Sequence, residues 1–387
     1  MVMGAAVELS VADSMTRGGH EQVVFVADAA VGLRAIIAVH STALGPSLGG
    51  IRFWHYPGER DALADVLRLS EAMSLKAAAA GLHQGGGKAV VLWDDQHQFR
   101  SEAFLRVLGR AIDELGGRYI AAEDVGATPA DMNGLALETR WVTGVDGPGG
   151  SGDPSPVTAV GVLAAMRAAA RELDGEPSLA GRRVVVQGAG HVGAHLVELL
   201  VDAGASVGVA DIDRERVDAL VRARGVDALA VETVLEEECD VLAPCALGGA
   251  FTAETVLRLR CRAIVGAANN QLADSSVDDA LVACGIVYAP DFVANAGGII
   301  NIAEEFVGYD PRRALTRAAE IEETTARVFA LARELGVAPG RAAETMARRR
   351  ITEEGGGRRW RPGDPAAWTR GEPLRTLRPG VAPAKAV

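Results

Sequence analysis

Two lysines stand twelve positions apart in an otherwise apolar part of the sequence. Lys88 follows three glycines, Gly85-Gly86-Gly87, and precedes a β-branched run, while Lys76 lies among Ala, Leu and Met. Glycine has no Cβ, so a backbone or a small substrate can approach Lys88 closely. Burial disfavours the ammonium form, and such a lysine can lose its proton near neutral pH and act as a base. A surface lysine after an ordinary glycine turn would explain either feature alone.

Glycines at a regular spacing also follow a second β-branched run, which ends at Gln187. The segment is Gly188-Ala189-Gly190-His191-Val192-Gly193, and Asp211 ends the next predicted strand about twenty residues on. In a dinucleotide-binding turn, the first glycine makes the tight turn, the second admits the pyrophosphate and the third packs the helix on the strand. Asp211 can accept hydrogen bonds from the ribose hydroxyls and would repel a 2′-phosphate, which predicts NAD rather than NADP.

Length and charge narrow the class of protein. The 387 residues suggest two domains, and the net charge of −12 argues against nucleic acid or an anionic membrane as a partner. No apolar run approaches the roughly 20 residues that span a bilayer, and the N-terminus lacks a signal-peptide pattern. The 4 cysteines are expected to be buried free thiols, and neither they nor the 7 histidines predict a metal site. A cytoplasmic protein is therefore expected.

The hydrophobic pattern predicts an α/β protein. Residues 21–27 and 33–40 read as paired strands, 61–80 as a helix and 89–93 as a strand, with glycine turns at 85–88 and 45–50. After residue 182, helices alternate with short apolar strands, which indicates a parallel sheet with crossover helices. The Gly-, Pro- and Ser-rich stretch 146–156 is the best candidate for an inter-domain connection, and the Gly-, Pro- and Arg-rich tail 355–387 is expected to be flexible.

Several short segments carry a resemblance to a known family. They are His40-Ser41-Thr42-Ala43-Leu44-Gly45-Pro46, Leu48-Gly49-Gly50, Met73-Ser74-Leu75-Lys76, Gly85-Gly86-Gly87-Lys88, Glu123-Asp124-Val125-Gly126, Gly266-Ala267-Ala268-Asn269-Asn270-Gln271-Leu272 and Tyr288-Ala289-Pro290-Asp291-Phe292-Val293-Ala294-Asn295-Ala296-Gly297-Gly298. Over residues 19–351 the chain resembles the glutamate/leucine/phenylalanine/valine dehydrogenase family, and most closely its members that act on valine or leucine.

The resemblance implies a division of the chain into domains. An α/β substrate-binding and catalytic domain would comprise 1–147, and a Rossmann-type, doubly wound NAD-binding domain would comprise 148–325. C-terminal helices at 326–354 would return to the substrate domain, and 355–387 would be the flexible tail. The cleft would close between the two domains and exclude water from the reaction.

The resemblance also implies roles for the residues of the site. Lys76 would stay charged and pair with the substrate carboxylate. Lys88 would have a lowered pKa and act as the base. Asp124 would accept the substrate ammonium and move protons. Gly50 and Asn270 would add hydrogen bonds to the carboxylate or the carbonyl oxygen. The cofactor-binding residues would be Thr158, Gly188, Ala189, Gly190, His191, Val192, Gly193, Asp211, Cys245, Ala246, Ala268, Asn269 and Asn295, the last near the nicotinamide amide.

The implied reaction is the reversible, NAD-dependent oxidative deamination of a free L-amino acid to its 2-oxo acid and ammonia. In glutamate-specific members a lysine and a serine bind the distal carboxylate, and here Leu48 and Ile302 occupy those positions, so glutamate is disfavoured. Leu48, Ala122, Ile299 and Ile302 would instead form an apolar pocket. Leucine-preferring relatives tend to carry valines at the last two positions, so two isoleucines should shrink the pocket and favour valine.

Two alternatives stay open. A leucine or phenylalanine dehydrogenase would use the same site, and an NAD-binding regulatory protein without turnover would need the cofactor turn alone. The presence of both lysines and Asp124 argues against the second. The family associates into homo-oligomers, and the same is expected here.

Overall fold

Two β-sheets, one in each half of the chain, organise the protein. The computed structural model describes residues 10–93, 100–145, 149–246, 248–357 and 359–360. The first sheet contains β1 (Gln22–Asp28), β2 (Leu33–Ser41), β3 (Ser47–Trp54), β4 (Gly85–Leu92) and β5 (Tyr119–Glu123), and the accompanying helices are α1 (Val11–Gly18), α2 (Glu59–Ala79), α3 (Glu102–Asp113) and α4 (Pro129–Leu135). The α/β class predicted from the sequence is confirmed.

The first sheet is mixed and runs in the order β1-β2-β4-β3-β5. The predicted hairpin is present, with Asp28 opposite Leu33 across its turn. Strand β4 is antiparallel to β2 but parallel to β3, which is in turn parallel to β5. The carboxyl ends of β3, β4 and β5 therefore lie at one edge of the sheet.

Helices cover both faces of this sheet. Helix α2 buries Val66 against Ile36 and Val90 of the sheet, since its apolar residues recur every three to four positions along one side. Helices α3 and α4 pack on the opposite face, where Phe104 and Met132 enter the main apolar core. The sheet is thus held rigidly from both sides.

The second sheet is entirely parallel. Its strands are β6 (Arg183–Gln187), β7 (Ser206–Ala210), β8 (Asp227–Ala228), β9 (Cys239–Pro244), β10 (Cys261–Ile264) and β11 (Val287–Tyr288), in the order β11-β10-β9-β6-β7-β8. The helices between and before them are α5 (Ser155–Asp174), α6 (His191–Asp202), α7 (Arg214–Arg224), α8 (Ala253–Val256) and α9 (Ser276–Ala283). The strand order reverses between β6 and β9, which makes this a doubly wound, Rossmann-type sheet. In sheets of this type, ligands bind where the order reverses, beyond the carboxyl ends of the strands.

The last helices connect the two halves. They are α10 (Asp291–Ala294), α11 (Gly297–Ala303), α12 (Pro311–Ala319), α13 (Ile321–Leu335) and α14 (Pro339–Gly355). Helix α13 packs on α5, beside the second sheet, and α14 packs on α2, beside the first. One apolar cluster joins Ala78 of α2 to Val328 of α13 and Ala343 of α14. The exact domain limits at 147, 325 and 354 stay a prediction.

Two local expectations were wrong. Gly85 to Gly87 lie inside β4 rather than in a turn, and Gly49-Gly50 lie inside β3, because their backbones are extended and paired on both sides. The tail does not begin as a free segment, since Trp360 is 5% exposed and packs against Trp141 with ring centroids 6.2 Å apart. Residues 361–387 lie outside the described part of the chain.

The cysteines are free thiols, as expected, but they are not all buried. Cys239 and Cys261 are buried, whereas Cys284 is exposed because it follows the last turn of α9 at the surface. Among the described residues, no group of three or more His, Cys, Asp or Glu could hold a metal ion. None of the helices that these residues form has both the length and the apolar character needed to cross a membrane.

Candidate active site

The predicted substrate residues lie on one face of the first sheet. Leu48 is paired with Gly86 of β4, and Gly50 is paired with Ala122 of β5. Neighbouring residues in register point to the same side of a sheet, and side chains alternate along each strand. Leu48, Gly50 and Ala122 therefore share a face with Lys88, which is two residues beyond Gly86. This is the face that α2 covers.

The three glycines of β4 are required by close packing. A Cβ on Gly86 would lie 2.0 Å from the backbone nitrogen of Ser74 in α2, and one on Gly85 would lie 1.8 Å from the carbonyl oxygen of Ser41. No side chain could be accommodated at such distances from backbone atoms. Helix α2 thus lies directly on the backbone of β4, and this contact brings its last turn, with Lys76, towards Lys88.

Lys88 forms a buried ion pair with Asp124. The Lys88 side chain is 5% exposed, and its Nζ lies 2.9 Å from Oδ2 of Asp124, which follows β5. The same Oδ2 accepts a hydrogen bond of 3.0 Å from Nε of Arg52 in β3. The Arg52 guanidinium also donates to Oδ2 of Asp65 in α2, at 3.0 Å. Two cations therefore converge on one carboxylate oxygen.

The ion pair has a clear electrostatic character. Burial lowers the pKa of Lys88, Asp124 acts in the opposite direction, and the nearby charge of Arg52 adds to the lowering. Burial alone would raise the pKa of Asp124, but the attraction of Lys88 and Arg52 outweighs it, so the pKa of Asp124 is lowered. The surroundings thus favour the ionised form of the carboxylate and make the lysine easier to deprotonate than an exposed one.

Lys76 lies in the last turn of α2 and reaches the second half of the chain. Its Nζ donates to Oδ1 of Asn269 over 3.4 Å. Burial lowers the pKa of Lys76 to about 8; Asp291 opposes this shift and Lys88 adds to it. With this pKa the ammonium form of Lys76 predominates below about pH 8 and is lost as the pH rises through that value, and the role of Lys76 as a charged anchor stays a prediction.

Three asparagines lie beyond β10 and α10, and one of them, Asn269, contacts Lys76. Asn269 accepts a 2.9 Å hydrogen bond from Nδ2 of the buried Asn295. Asn270 has a left-handed backbone with φ 52°, and its carbonyl oxygen accepts a hydrogen bond from Gly249. The side chain that contacts Lys76 is thus Asn269, predicted as a cofactor ligand, and not Asn270, predicted as a substrate ligand.

The glycine turn after β6 combines tight packing with open space. Gly188 has φ +105°, and a Cβ there would lie 2.8 Å from the backbone nitrogen of Ala246. A Cβ on Gly193 would lie 1.9 Å from the carbonyl oxygen of Gly188, so this glycine allows α6 to approach the strand. A Cβ on Gly190, which precedes α6, would meet nothing within 4 Å. The N-terminus of α6 therefore faces free space that suits an anionic phosphate.

The residues around this turn fit a dinucleotide. Asp211, after β7, accepts a 2.6 Å hydrogen bond from the backbone nitrogen of Ala189 and a 2.8 Å one from that of Asp213. These two bonds fix the carboxylate beside the turn.

The buried Oδ1 of Asn295 has no hydrogen-bond partner among the described residues, and a carboxamide group could donate to it.

The other predicted cofactor residues lie along the carboxyl edge of the second sheet. His191 and Val192 begin α6. The backbone nitrogens of Cys245 and Ala268 donate to Gln187 and Pro244, at the ends of β6 and β9. Burial raises the pKa of the Cys245 thiol to about 11, so it stays protonated and unreactive. Thr158, in the first turn of α5, donates from Oγ1 to the carbonyl oxygen of Pro154.

Comparison with known families decides what this arrangement belongs to. The model described as the dimerisation domain of Glu/Leu/Phe/Val dehydrogenase matches residues 20–141, and that of Glutamate/Leucine/Phenylalanine/Valine dehydrogenase matches 149–215 and 209–330. The chain belongs to the Glu/Leu/Phe/Val dehydrogenase family. It is an amino acid dehydrogenase, and the enzymes of this family use a nicotinamide cofactor.

Similar proteins span nearly the full length of this dehydrogenase. A valine dehydrogenase from Streptomyces virginiae is 49% identical over 341 residues, which are 87% of this chain and 95% of the relative. A leucine dehydrogenase from Thermoactinomyces intermedius is 46% identical over 344 residues, covering 89% and 94%. Among solved structures, L-tryptophan dehydrogenase from Nostoc punctiforme has a TM-score of 0.79 and 36% identity, covering 88% of this chain and 98% of that one.

The four residues predicted to line the side-chain pocket lie in or against the main apolar core, which extends through both halves of the chain. Leu48, Ala122 and Ile299 are buried in it, and Ile302 is partly buried against it. Leu48 and Ala122 come from the first sheet, whereas Ile299 and Ile302 lie on α11, three residues apart and so on one side of that helix. The four side chains are thus wholly or partly buried, and that they line one pocket stays a prediction.

Sequence reasoning missed three charged residues around the lysines. Arg52 is two positions beyond Gly50 in β3, so the alternation of a strand would have assigned it to the same face. Asp65, in α2, gave no local signal, because its contact with Arg52 depends on how α2 crosses the sheet. Asp291 stands in one of the family segments quoted above, and it acts on Lys76 through its charge.

Proposed function

We propose that this dehydrogenase catalyses the reversible, NAD-dependent oxidative deamination of a branched-chain L-amino acid, with valine favoured. The products would be the 2-oxo acid, ammonia and reduced cofactor. The observation that carries the proposal is the buried Lys88–Asp124 ion pair, in which Nζ and Oδ2 are 2.9 Å apart. Helix α2 lies above this pair, and its Lys76 contacts Asn269, which follows β10 of the second sheet. In this proposal a base, an anchor for the substrate carboxylate and the carboxyl edge of the second sheet would lie at one junction.

The chain's own residues would provide three functions. Lys76, protonated below about pH 8, would hold the substrate carboxylate, and the backbone at Gly50 would approach closely because no Cβ intervenes. Asp124 would receive a proton from the substrate ammonium. Lys88, with its lowered pKa, would take a proton from the water that attacks the substrate iminium carbon. The nicotinamide cofactor, when bound, supplies the acceptor for the hydride from Cα.

The cofactor would be held along the carboxyl edge of the second sheet. The free space at Gly190 would admit the pyrophosphate, and the buried Oδ1 of Asn295 would accept a hydrogen bond from the carboxamide. Asp211 would bind the adenosine ribose hydroxyls, and its charge would repel a 2′-phosphate, so NAD would be preferred over NADP.

The residues of the predicted side-chain pocket favour an apolar substrate. Leu48, Ala122, Ile299 and Ile302 are all apolar, and a distal carboxylate placed among them would lose its hydration without gaining a partner. Glutamate should therefore be a poor substrate. The two isoleucines of α11 would leave less room than smaller side chains, which favours valine over leucine.

Leucine is the second candidate substrate. The leucine dehydrogenase from Thermoactinomyces intermedius is 46% identical to this chain, close to the 49% of the valine dehydrogenase. One methylene group in an apolar pocket changes binding by only about 1–3 kcal/mol, so the same fold and site can serve either substrate. Phenylalanine is a weaker candidate, because it requires a larger pocket.

A substrate panel tests the proposal. Initial rates of cofactor reduction should be measured at pH 8, where about half of Lys76 is still protonated, with valine, leucine, phenylalanine and glutamate, each with NAD and then with NADP. We expect the highest kcat/KM for valine with NAD, a lower value for leucine and a negligible rate with glutamate. A clear preference for phenylalanine or glutamate would overturn the proposed pocket, and the absence of turnover with all four amino acids would overturn the proposed substrate class.

We also propose that the enzyme is a homo-oligomer that works in the cytoplasm. The family model matching residues 20–141 is described as a dimerisation domain, and a glutamate dehydrogenase of Thermus thermophilus with the same fold is described as hetero-hexameric. Sedimentation of the purified full chain tests the first part, since a monomer at micromolar concentration would contradict it.

A further inference from the structure

Asp124 is held by two cations, and only one of them has a role in the proposed reaction. Nζ of Lys88 lies 2.9 Å from Oδ2 of Asp124, and Nε of Arg52 lies 3.0 Å from the same atom. Arg52 stands in β3, two residues beyond Gly50, so its side chain extends over the same face of the sheet as Lys88. Its partial burial, with 20% of the side chain exposed, limits screening by solvent.

The orientation of Arg52 is fixed from its other side. The guanidinium donates from Nη1 to Oδ2 of Asp65 over 3.0 Å, and Tyr56 donates its hydroxyl to the same Asp65 oxygen over 2.7 Å. A planar guanidinium can bridge two carboxylates in a fixed geometry, which an ammonium group cannot do. Arg52 therefore connects α2 to the end of β5 through Asp65 and Asp124.

We propose that Arg52 is a positioning residue that holds the Asp124 carboxylate against Lys88 and adds a positive charge that favours the neutral, basic form of Lys88. The inference rests on the proposed roles of Lys88 and Asp124. Arg52 itself need not touch the substrate, since its guanidinium is occupied by two carboxylates of the protein.

The charges around Lys88 and Asp124 determine in which direction each substitution should shift the pKa of Lys88. The titratable groups that face Lys88 or Asp124 from the surrounding elements are Arg52 on β3, Tyr56 in the following loop, Asp65 and Lys76 on α2, and Tyr119 on β5. Burial has the largest effect on the pKa of Lys88 and lowers it; Arg52 lowers this pKa further, whereas Asp65 raises it. Removing the charge of Arg52 should therefore raise the pKa of Lys88, and removing that of Asp65 should lower it.

The test compares variants of the full chain that act in opposite directions. In the pH profile of kcat/KM for valine oxidation, Arg52→Gln should move the acid limb to higher pH by about 1 unit, with kcat reduced roughly 10- to 100-fold. The KM for valine should change by less than about twofold, because no ground-state contact is removed. Arg52→Lys should restore the position of the limb but only part of kcat. Asp65→Asn should move the limb to lower pH.

Arg68→Gln is the matched control. Arg68 contacts Asp65 at 2.7 Å but is half exposed and contacts neither Asp124 nor Lys88 in the described structure, so its profile should match the wild type. Limbs that stay at the wild-type pH in both Arg52→Gln and Asp65→Asn would overturn the inference. If Arg52→Gln fails to fold, an unmoved limb in Asp65→Asn alone overturns it.

Failure of the inference can be told apart from failure of the proposed function. If Lys88→Ala retains wild-type turnover, the proposed base is wrong and the Arg52 role falls with it. If Lys88→Ala is inactive while the limbs of both other variants stay in place, only the role of Arg52 is wrong.

Discussion

Two glycine-rich segments, one in each half of the chain, use the same residue for different physical reasons. At Gly85 to Gly87 the space of each missing Cβ is occupied by other atoms of the protein; a Cβ on Gly86, for example, would lie 2.0 Å from the backbone nitrogen of Ser74 in α2. At Gly190, in the turn before α6, the corresponding space is empty. All three glycines of the first segment serve packing, whereas in the second segment Gly188 and Gly193 serve packing and Gly190 leaves open space.

This difference matches the chemistry of each region. Close packing on β4 buries Lys88 and so lowers its pKa, which a lysine beside an open turn would not experience. Open space at the N-terminus of α6 leaves backbone N–H groups free to bind an anion. A glycine run alone does not distinguish the two cases, because what matters is the element that lies opposite to it.

The largest expected effect on stability comes from placing alanine at a packed glycine, Gly86, and comparing it with alanine at an open one, Gly190. Gly86→Ala should destabilise the fold by about 3 kcal/mol or more, because its Cβ meets backbone that cannot yield. Gly190→Ala should leave the melting temperature unchanged, since its φ of −67° suits alanine and nothing lies within 4 Å. Thermal unfolding and titration with NADH check both. Gly190→Ala should weaken NADH binding, because its methyl group would occupy the space proposed for the pyrophosphate. Equal melting temperatures for the two variants, or unaltered NADH binding by Gly190→Ala, would contradict these expectations.

Asp124→Asn should separate catalysis from cofactor binding. The amide cannot receive a proton from the substrate ammonium, so kcat should fall about 10²- to 10⁴-fold, while the dissociation constant for NADH should stay the same. Stopped-flow reduction of NAD and an NADH titration measure the two quantities. A parallel loss of both would indicate that Asp124 supports the whole fold rather than the reaction.

Asp211→Ser should affect the other region only. The loss of the hydrogen bonds to the ribose should raise the KM for NAD by roughly 10-fold, and the loss of the negative charge should improve the use of NADP. The KM for valine should not change. Steady-state kinetics with both cofactors provides the test, and an unchanged ratio of kcat/KM for NAD to that for NADP would argue against the role of Asp211.

The pH dependence of substrate binding should report on Lys76. Its pKa is lowered to about 8, so the ammonium is present below that pH and is lost as the pH rises through it. Binding of an unreactive branched carboxylate to the cofactor-loaded enzyme should therefore weaken by up to about 10-fold per pH unit above pH 8. Lys76→Arg, which stays protonated, is the matched control and should flatten the dependence. Constant affinity between pH 7 and 10 in the unaltered enzyme would exclude Lys76 as the carboxylate anchor.

Local sequence signals predicted the second half of the fold well. The unit from Arg183 to Ala210 is a strand, turn, helix and strand in which each glycine has its own steric role, and such a unit can be recognised from a short segment. The hairpin around Asp28 and Leu33 is likewise local. In both cases the residues that decide the structure are close in the sequence.

Contacts between distant residues explain what was missed. The glycines of β4 suggested a turn, since a run of glycines is typical of turns. They lie in a strand instead, because pairing with β2 and β3 and packing against α2 hold their backbone extended. The Arg52–Asp124 contact joins residues 72 positions apart, and Trp360 is buried by Trp141, which no pattern in the tail could show. Side-chain partners of this kind follow from the packing of elements and not from the composition of a segment.

The most direct test of the central claim is the turnover of Lys88→Ala. We expect NAD reduction with valine at alkaline pH to fall at least about 10³-fold, because the base that activates water is removed, while NADH binding and the melting temperature stay near those of the unaltered enzyme. Lys88→Ala that oxidises valine at the normal rate would contradict the proposed mechanism.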